Sequence, residues 1–127
     1  MAKARGEAIL VFDDERVKIL FTLRVLAAAE LAIGKTVTEL LRAAMGGSLG
    51  VNDTVQLLRV GMEAAREDGG EEGTPITMRE AWEIAERAGF SAAATAVLEA
   101  ISVVIAFPGP KAKAPKTSKK AVAKDGG

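Results

Sequence analysis

Gly6-Glu7-Ala8-Ile9-Leu10-Val11-Phe12-Asp13-Asp14-Glu15-Arg16-Val17-Lys18-Ile19-Leu20-Phe21 is the stretch that decides the fold. Two runs rich in β-branched and aromatic residues, Glu7 to Phe12 and Val17 to Phe21, flank Asp13-Asp14-Glu15-Arg16, whose composition favours a turn. An antiparallel hairpin is the expectation. From Thr22 to Phe107 the chain reads as helix, so the fold class is α+β, mainly α: an N-terminal β-hairpin, about five short helices and a disordered Lys/Ala/Pro tail.

Local signals place the helices. Thr22 can cap a helix from Leu23 to about Ile33, apolar on nearly every side, with Gly34 where a left-handed residue ends it. Thr36 with Glu39 is a capping box, and Val37, Leu40, Leu41, Ala44 and Met45 then recur along one helical face. Asp53 with Gln56 is expected to open a third helix to about Arg66, with Gln56, Arg59, Glu63 and Arg66 as its solvated stripe and Val55, Leu58, Met62 and Ala65 opposite. Asp68 to Pro75 has the glycine and charge content of a mobile loop with nothing apolar to dock. Thr77 and Glu80 repeat the capping box before a fourth helix to Ala88, Gly89 ends it, and Ser91 is expected to cap the fifth.

The composition narrows the chemistry. The 127 residues include no Cys, His or Tyr, which removes the imidazole base, the thiolate nucleophile and the usual zinc ligands. Glu80, Glu83 and Glu86 alternate with Arg79 and Arg87 as a solvated face should, and no carboxylates have calcium-loop spacing. No catalytic residue, cofactor site or metal site is expected, and a binding or scaffolding role is. No run has signal-peptide form, and the apolar stretch from Ala92 to Phe107 is short for a membrane span and holds Glu99.

Net charge is zero, yet residues 1–107 hold 11 Lys+Arg against 16 Asp+Glu and residues 108–127 hold six Lys against Asp125. The chain divides into an acidic hairpin-plus-helices body, 1–107, and a basic tail, 108–127, too poor in large apolar groups to fold. Lys111, Lys113, Lys116, Lys119, Lys120 and Lys124 suit loose contact with phosphate backbones or an acidic surface, or simply solvation, and no aromatic residue accompanies them to stack on bases.

The fifth helix is the strongest candidate for a partner surface. Ser91, Thr95, Glu99 and Ser102 make one narrow polar stripe and apolar residues fill the rest, so it is either the central core helix or half of an interface. Val97, Ile101, Val104 and Ile105 are the candidate partner-binding residues, for self-association or for a helical client. The Ala85, Gly89, Phe90, Ser91 and Leu98 spacing has a helix-turn-helix order, but Ala92 to Glu99 offers a single hydroxyl and a carboxylate, poor equipment for reading DNA.

The order of these signatures resembles a known group. Gly6-Glu7 opening the first strand, the acidic turn, Thr22-Leu23, the Ala29-Glu30-Leu31-Ala32-Ile33-Gly34 helix end, Leu57-Leu58-Arg59-Val60-Gly61-Met62 and the Ala88-Gly89-Phe90 junction are similar to the tail assembly chaperones of siphophages and gene transfer agents. The resemblance spans about residues 6 to 106. It implies a non-enzymatic protein of the host cytoplasm that binds the tape measure protein, and has the tail tube protein as a further partner, while the tube polymerises. It also implies a second, longer product made by ribosomal frameshifting, for which Lys119-Lys120 would supply the adenine-rich site. Two alternatives stand beside it: a structural tail or connector subunit retained in the particle, and a small nucleic-acid-associated protein acting through its tail.

Overall fold

In the computed structural model, residues 5–106 are described; the tail with its six lysines lies outside the described residues. Strand β1 (Gly6–Phe12) and strand β2 (Glu15–Phe21) form the hairpin, followed by helices α1 (Leu23–Ile33), α2 (Val37–Met45), α3 (Val51–Asp68), α4 (Met78–Ala88) and α5 (Phe90–Ala106). The fold class is α+β with a two-stranded antiparallel sheet.

The hairpin turn is tighter than its composition suggests. Phe12 pairs with Glu15 and Val11 with Arg16, so the loop is Asp13-Asp14 alone, both at positive φ (47° and 64°). That is the primed turn whose twist matches the strands, and Asp is among the few residues that tolerate it. Arg87, from the last turn of α4, binds Glu15 at 2.7 Å and lies 5.1 Å from the centre of the Phe12 ring.

One face of the hairpin presents Gly6, Ala8, Leu10 and Phe12 beside Val17, Ile19 and Phe21, and it packs on α5 beneath β1 and α3 beneath β2. Phe21, Ile19, Leu57, Leu58, Val97 and Ile101 form the centre of the core. Two glycines set this layer spacing. A methyl at Gly61 would come within 2.6 Å of the Ile19 side chain and 2.9 Å of the Phe21 ring, so its absence lets α3 reach the sheet. Gly6 performs the same service for α5.

The caps form largely as the residues imply. Thr22 Oγ1 accepts from the Val25 amide at 3.2 Å and Gly34 takes φ 82° at the end of α1. Thr36 and Glu39, then Thr77 and Glu80, complete both capping boxes. Two starts differ. Helix α3 begins earlier, at Val51 after Gly50, with no side-chain cap; Asp53 instead sits in the first turn, where the helix dipole favours an anion, and pairs with Lys35 at 2.7 Å. Helix α5 begins at Phe90 directly after Gly89 (φ 98°), whose carbonyl accepts from Ala93, so Ser91 is an exposed second residue and no cap.

The α3 stripe is also less wet than its charges suggest. Gln56, Arg59, Glu63 and Arg66 are all half-buried. Arg66 donates to both Glu63 oxygens, at 2.9 and 2.7 Å, and to the Glu71 carbonyl at 2.9 Å, while Glu63 accepts from the Ile76 amide at 2.8 Å. These bonds tie down the loop after α3 at two points, and Ile76 packs on the core edge, so the segment is anchored rather than free.

Hydrogen bonding to Arg66, supported by the Ile76 amide, holds the Glu63 carboxyl at about 2. Its folded value lies below the unfolded one, so the stability it contributes is complete above about 4.5 and is lost as pH falls towards about 2. Glu63→Gln is expected to cost about 2 kcal/mol at neutral pH, the worth of charge-assisted bonds of this kind. Urea midpoints measured from pH 7 to 2 should show a shallower acid loss for the variant than for the parent.

Candidate functional site

Helix α5 follows an alanine-rich, strongly helix-forming sequence, and its 3.6-residue period sorts its side chains into three faces. Ala93, Ala96, Val97, Ala100, Ile101 and Val104 are buried against the hairpin and α3. Ser91, Thr95, Glu99 and Ser102 form the exposed polar stripe. Leu98, Ser102 and Ile105, at i, i+4 and i+7, lie towards α2.

This arrangement corrects the candidate partner set. Val97, Ile101 and Val104 are 0%, 2% and 5% exposed, so they belong to the core of the protein itself, whereas Ile105 is 49% exposed. Sequence reasoning grouped the four by apolarity. Phase separates them only in part: 97, 101 and 104 centre on one helical face, and 105 lies at its edge, about 75° from that centre and about 40° from Ile101.

Helix α2 supplies the other wall. Val37 and Leu40 are buried and hold α2 to the body, while Leu41 and Ala44 are half-buried and Met45 is 88% exposed. The expected single buried face thus runs off the body after its first turn, because α2 does not lie closely along any other element. Between α2 and α5 a groove of about 270 Å³ opens, lined by Leu41, Ala44, Met45, Leu98, Ser102, Ile105 and Ala106. Apart from the Ser102 hydroxyl its side chains are apolar. Its lining holds no acid or base to activate that hydroxyl, and its size suits one or two anchoring side chains of a partner more than an enclosed small molecule. Met45 adds an unbranched, adaptable wall that can follow different shapes. The sequence marked Met45 and Ile105 as apolar, but their proximity is a tertiary fact.

A second cleft, about 460 Å³, lies between the outer face of the hairpin and the end of α3, lined in part by Ile9, Leu20 and Ala65. Three of its four charged residues answer one another, and Lys18 forms no ion pair among the described residues. Arg5 binds Asp68 at 2.9 and 3.2 Å and Glu7 at 3.0 Å, and this arginine holds the Asp68 carboxyl below the ordinary range. Such a mutually paired rim straps the hairpin to α3 and leaves little for a charged ligand.

Among the described residues no group of three or more acidic side chains is placed to hold a metal ion. Glu80, Glu83 and Glu86 are exposed along α4. No single helix among the described residues is long and apolar enough to cross a membrane, and α4 and α5, which together have the length, meet at 113°. The six lysines of the basic tail lie outside the described residues. Comparisons with protein families, with curated proteins and with solved structures find no match to this chain.

Proposed function

We propose that this protein is a non-enzymatic tail assembly chaperone of the siphophage and gene-transfer-agent kind, working in the host cytoplasm, and that it holds the tape measure protein through the groove between α2 and α5. The observation that carries the binding role is the open apolar groove itself, with Met45 at 88% and Ile105 at 49% exposure on opposite walls. A client of this sort is long and helical, and an amphipathic helix meets a groove through apolar anchors spaced three or four residues apart. Burying a single large anchor here contributes about 2 kcal/mol, so holding the client takes several such anchors, which keeps the association reversible when the polymerising tube competes for the same client surface.

The test is co-expression of this chain with the tape measure protein of its own gene cluster. The client is expected to stay soluble and to co-purify. Met45→Glu and Ile105→Glu should each weaken that association by about ten-fold or more, since a charge would have to be desolvated in the groove, while leaving the thermal transition in place. Unimpaired binding by both variants would overturn the groove assignment. Recovery of the protein in stoichiometric amounts from finished particles would replace the chaperone reading with a structural subunit.

A further inference from the structure

The hairpin keeps an edge that nothing in the described fold closes. With the loop reduced to Asp13-Asp14, Phe12 and Glu15 exchange backbone hydrogen bonds, and by alternation so do Leu10 with Val17 and Ala8 with Ile19. The N–H and C=O groups of Glu7, Ile9 and Val11 therefore point away from β2, and among the described residues no hydrogen bond reaches them. The corresponding positions of β2 include Arg16 and Lys18, charges that discourage strand pairing. Strand β1 has no lysine, proline or bulge, its Ile9 and Val11 are 44% and 58% exposed, and its one charge, Glu7, is answered by Arg5 at 3.0 Å.

We propose that this edge of β1 is a docking site for one extended, acidic segment of another protein, added to the hairpin as a third strand. Unpaired backbone donors and acceptors at every second residue specify an extended backbone as the occupant, because only a strand meets them in step. The charge follows from the outer face. Arg16 stands opposite Val11 and Lys18 opposite Ile9, both exposed and neither in an ion pair among the described residues. An added strand lies about 10 Å from β2, a gap that a long cationic side chain and a glutamate span between them. A second copy of the chain fits poorly. Helices packed side by side lie about 8–10 Å apart, twice the strand spacing, so α5 and α3 overhang the two edges of the sheet above them. Pairing β1 with β1 of a second copy would force the two α5 helices into the same space, whereas a segment with no helix beneath it meets no such obstacle. The chain's own residues 108–127 bring six Lys to a basic face, and Pro108, Pro110 and Pro115 have no amide to donate. The site does not depend on what the α2–α5 groove binds.

The test is backbone amide exchange with solvent, read by NMR on the full-length chain, with the capped peptide Thr-Glu-Thr-Val-Thr-Val-Thr as probe. In the free protein Glu7, Ile9 and Val11 should exchange fast while Ala8, Leu10 and Phe12 are protected. At about 2 mM peptide, where a millimolar complex is two-thirds formed, the first three should slow about three-fold. N-methylation of the peptide's Glu and Val amides, which face β1, should abolish this, and N-methylation of its inner Thr amides should not. Ile9→Pro removes an outward N–H and no ladder bond, so it should lose the peptide and keep its thermal transition. The exposed double change Arg16→Glu with Lys18→Glu should reverse the preference, favouring a peptide with Lys in place of Glu. No slowing by the probe, equal effects of the two methylated peptides, or indifference to the Glu-to-Lys exchange would overturn the proposal. So would protection already present in the free chain: lost on truncation after Phe107, it would assign the edge to the tail; rising with concentration beside a mass above 13.2 kDa, it would assign it to a second copy.

Discussion

Gly6→Ala is expected to destabilise the protein by about 3 kcal/mol or more, at or beyond the upper end of what one inserted methyl does to a packed core. The added Cβ would fall far inside van der Waals contact distance of the Ala100 carbonyl oxygen and lie 3.1 Å from a Val104 methyl. The first neighbour is backbone in the middle of α5, so no rotamer change can relieve the clash and β1 must move off the helix. For a domain of about 100 residues this corresponds to a fall in Tm of roughly 12 °C or more, which circular dichroism reads directly. A second variant sharpens the result: Ala100→Gly removes the methyl at position 100 but leaves its carbonyl in place, so Gly6→Ala should not be rescued by it. Retention of the parent Tm by Gly6→Ala would mean that β1 and α5 are not packed backbone to backbone.

Ile101→Glu is expected to abolish the cooperative transition at room temperature. Ile101 is 2% exposed, and a carboxylate there would be buried among Val97, Ala100 and Val104 on its own helix with no cation to meet it. An uncompensated buried charge costs several kcal/mol on top of the lost packing, against a total stability of about 5–15 kcal/mol for a domain of ordinary kind. Ile105→Glu, four residues on and 49% exposed, should melt within a degree or two of the parent. The pair separates folding from binding on one helix: Ile101→Glu removes both, and Ile105→Glu is aimed at the groove alone. A folded Ile101→Glu, or an unfolded Ile105→Glu, would place the wrong face of α5 against the hairpin.

The hairpin and the helix boundaries were legible in the sequence because their causes are local. Alternating residues from Gly6 to Phe12 answer those from Glu15 to Phe21 across a two-residue turn of aspartates, and Thr36 with Glu39 or Thr77 with Glu80 close their hydrogen bonds within three residues. The absence of His and Cys likewise limited the available chemistry before any fold was known. Where local signals competed, they misplaced two helix starts: Asp53 and Ser91 have good capping side chains, but the glycines before them supplied the change of backbone direction. Only the tertiary structure decided which apolar residues are core. Apolar character alone does not distinguish Val104 from Ile105, or Leu40 from Met45; the difference is which neighbour arrives, and those neighbours are distant in the chain. Gly6 meets Ala100, Arg5 meets Asp68, and Arg87 meets Glu15, contacts that depend on the relative placement of whole helices. The groove between α2 and α5 is what remained uncovered once that packing was complete, because apolar surface is buried only where another element lies against it.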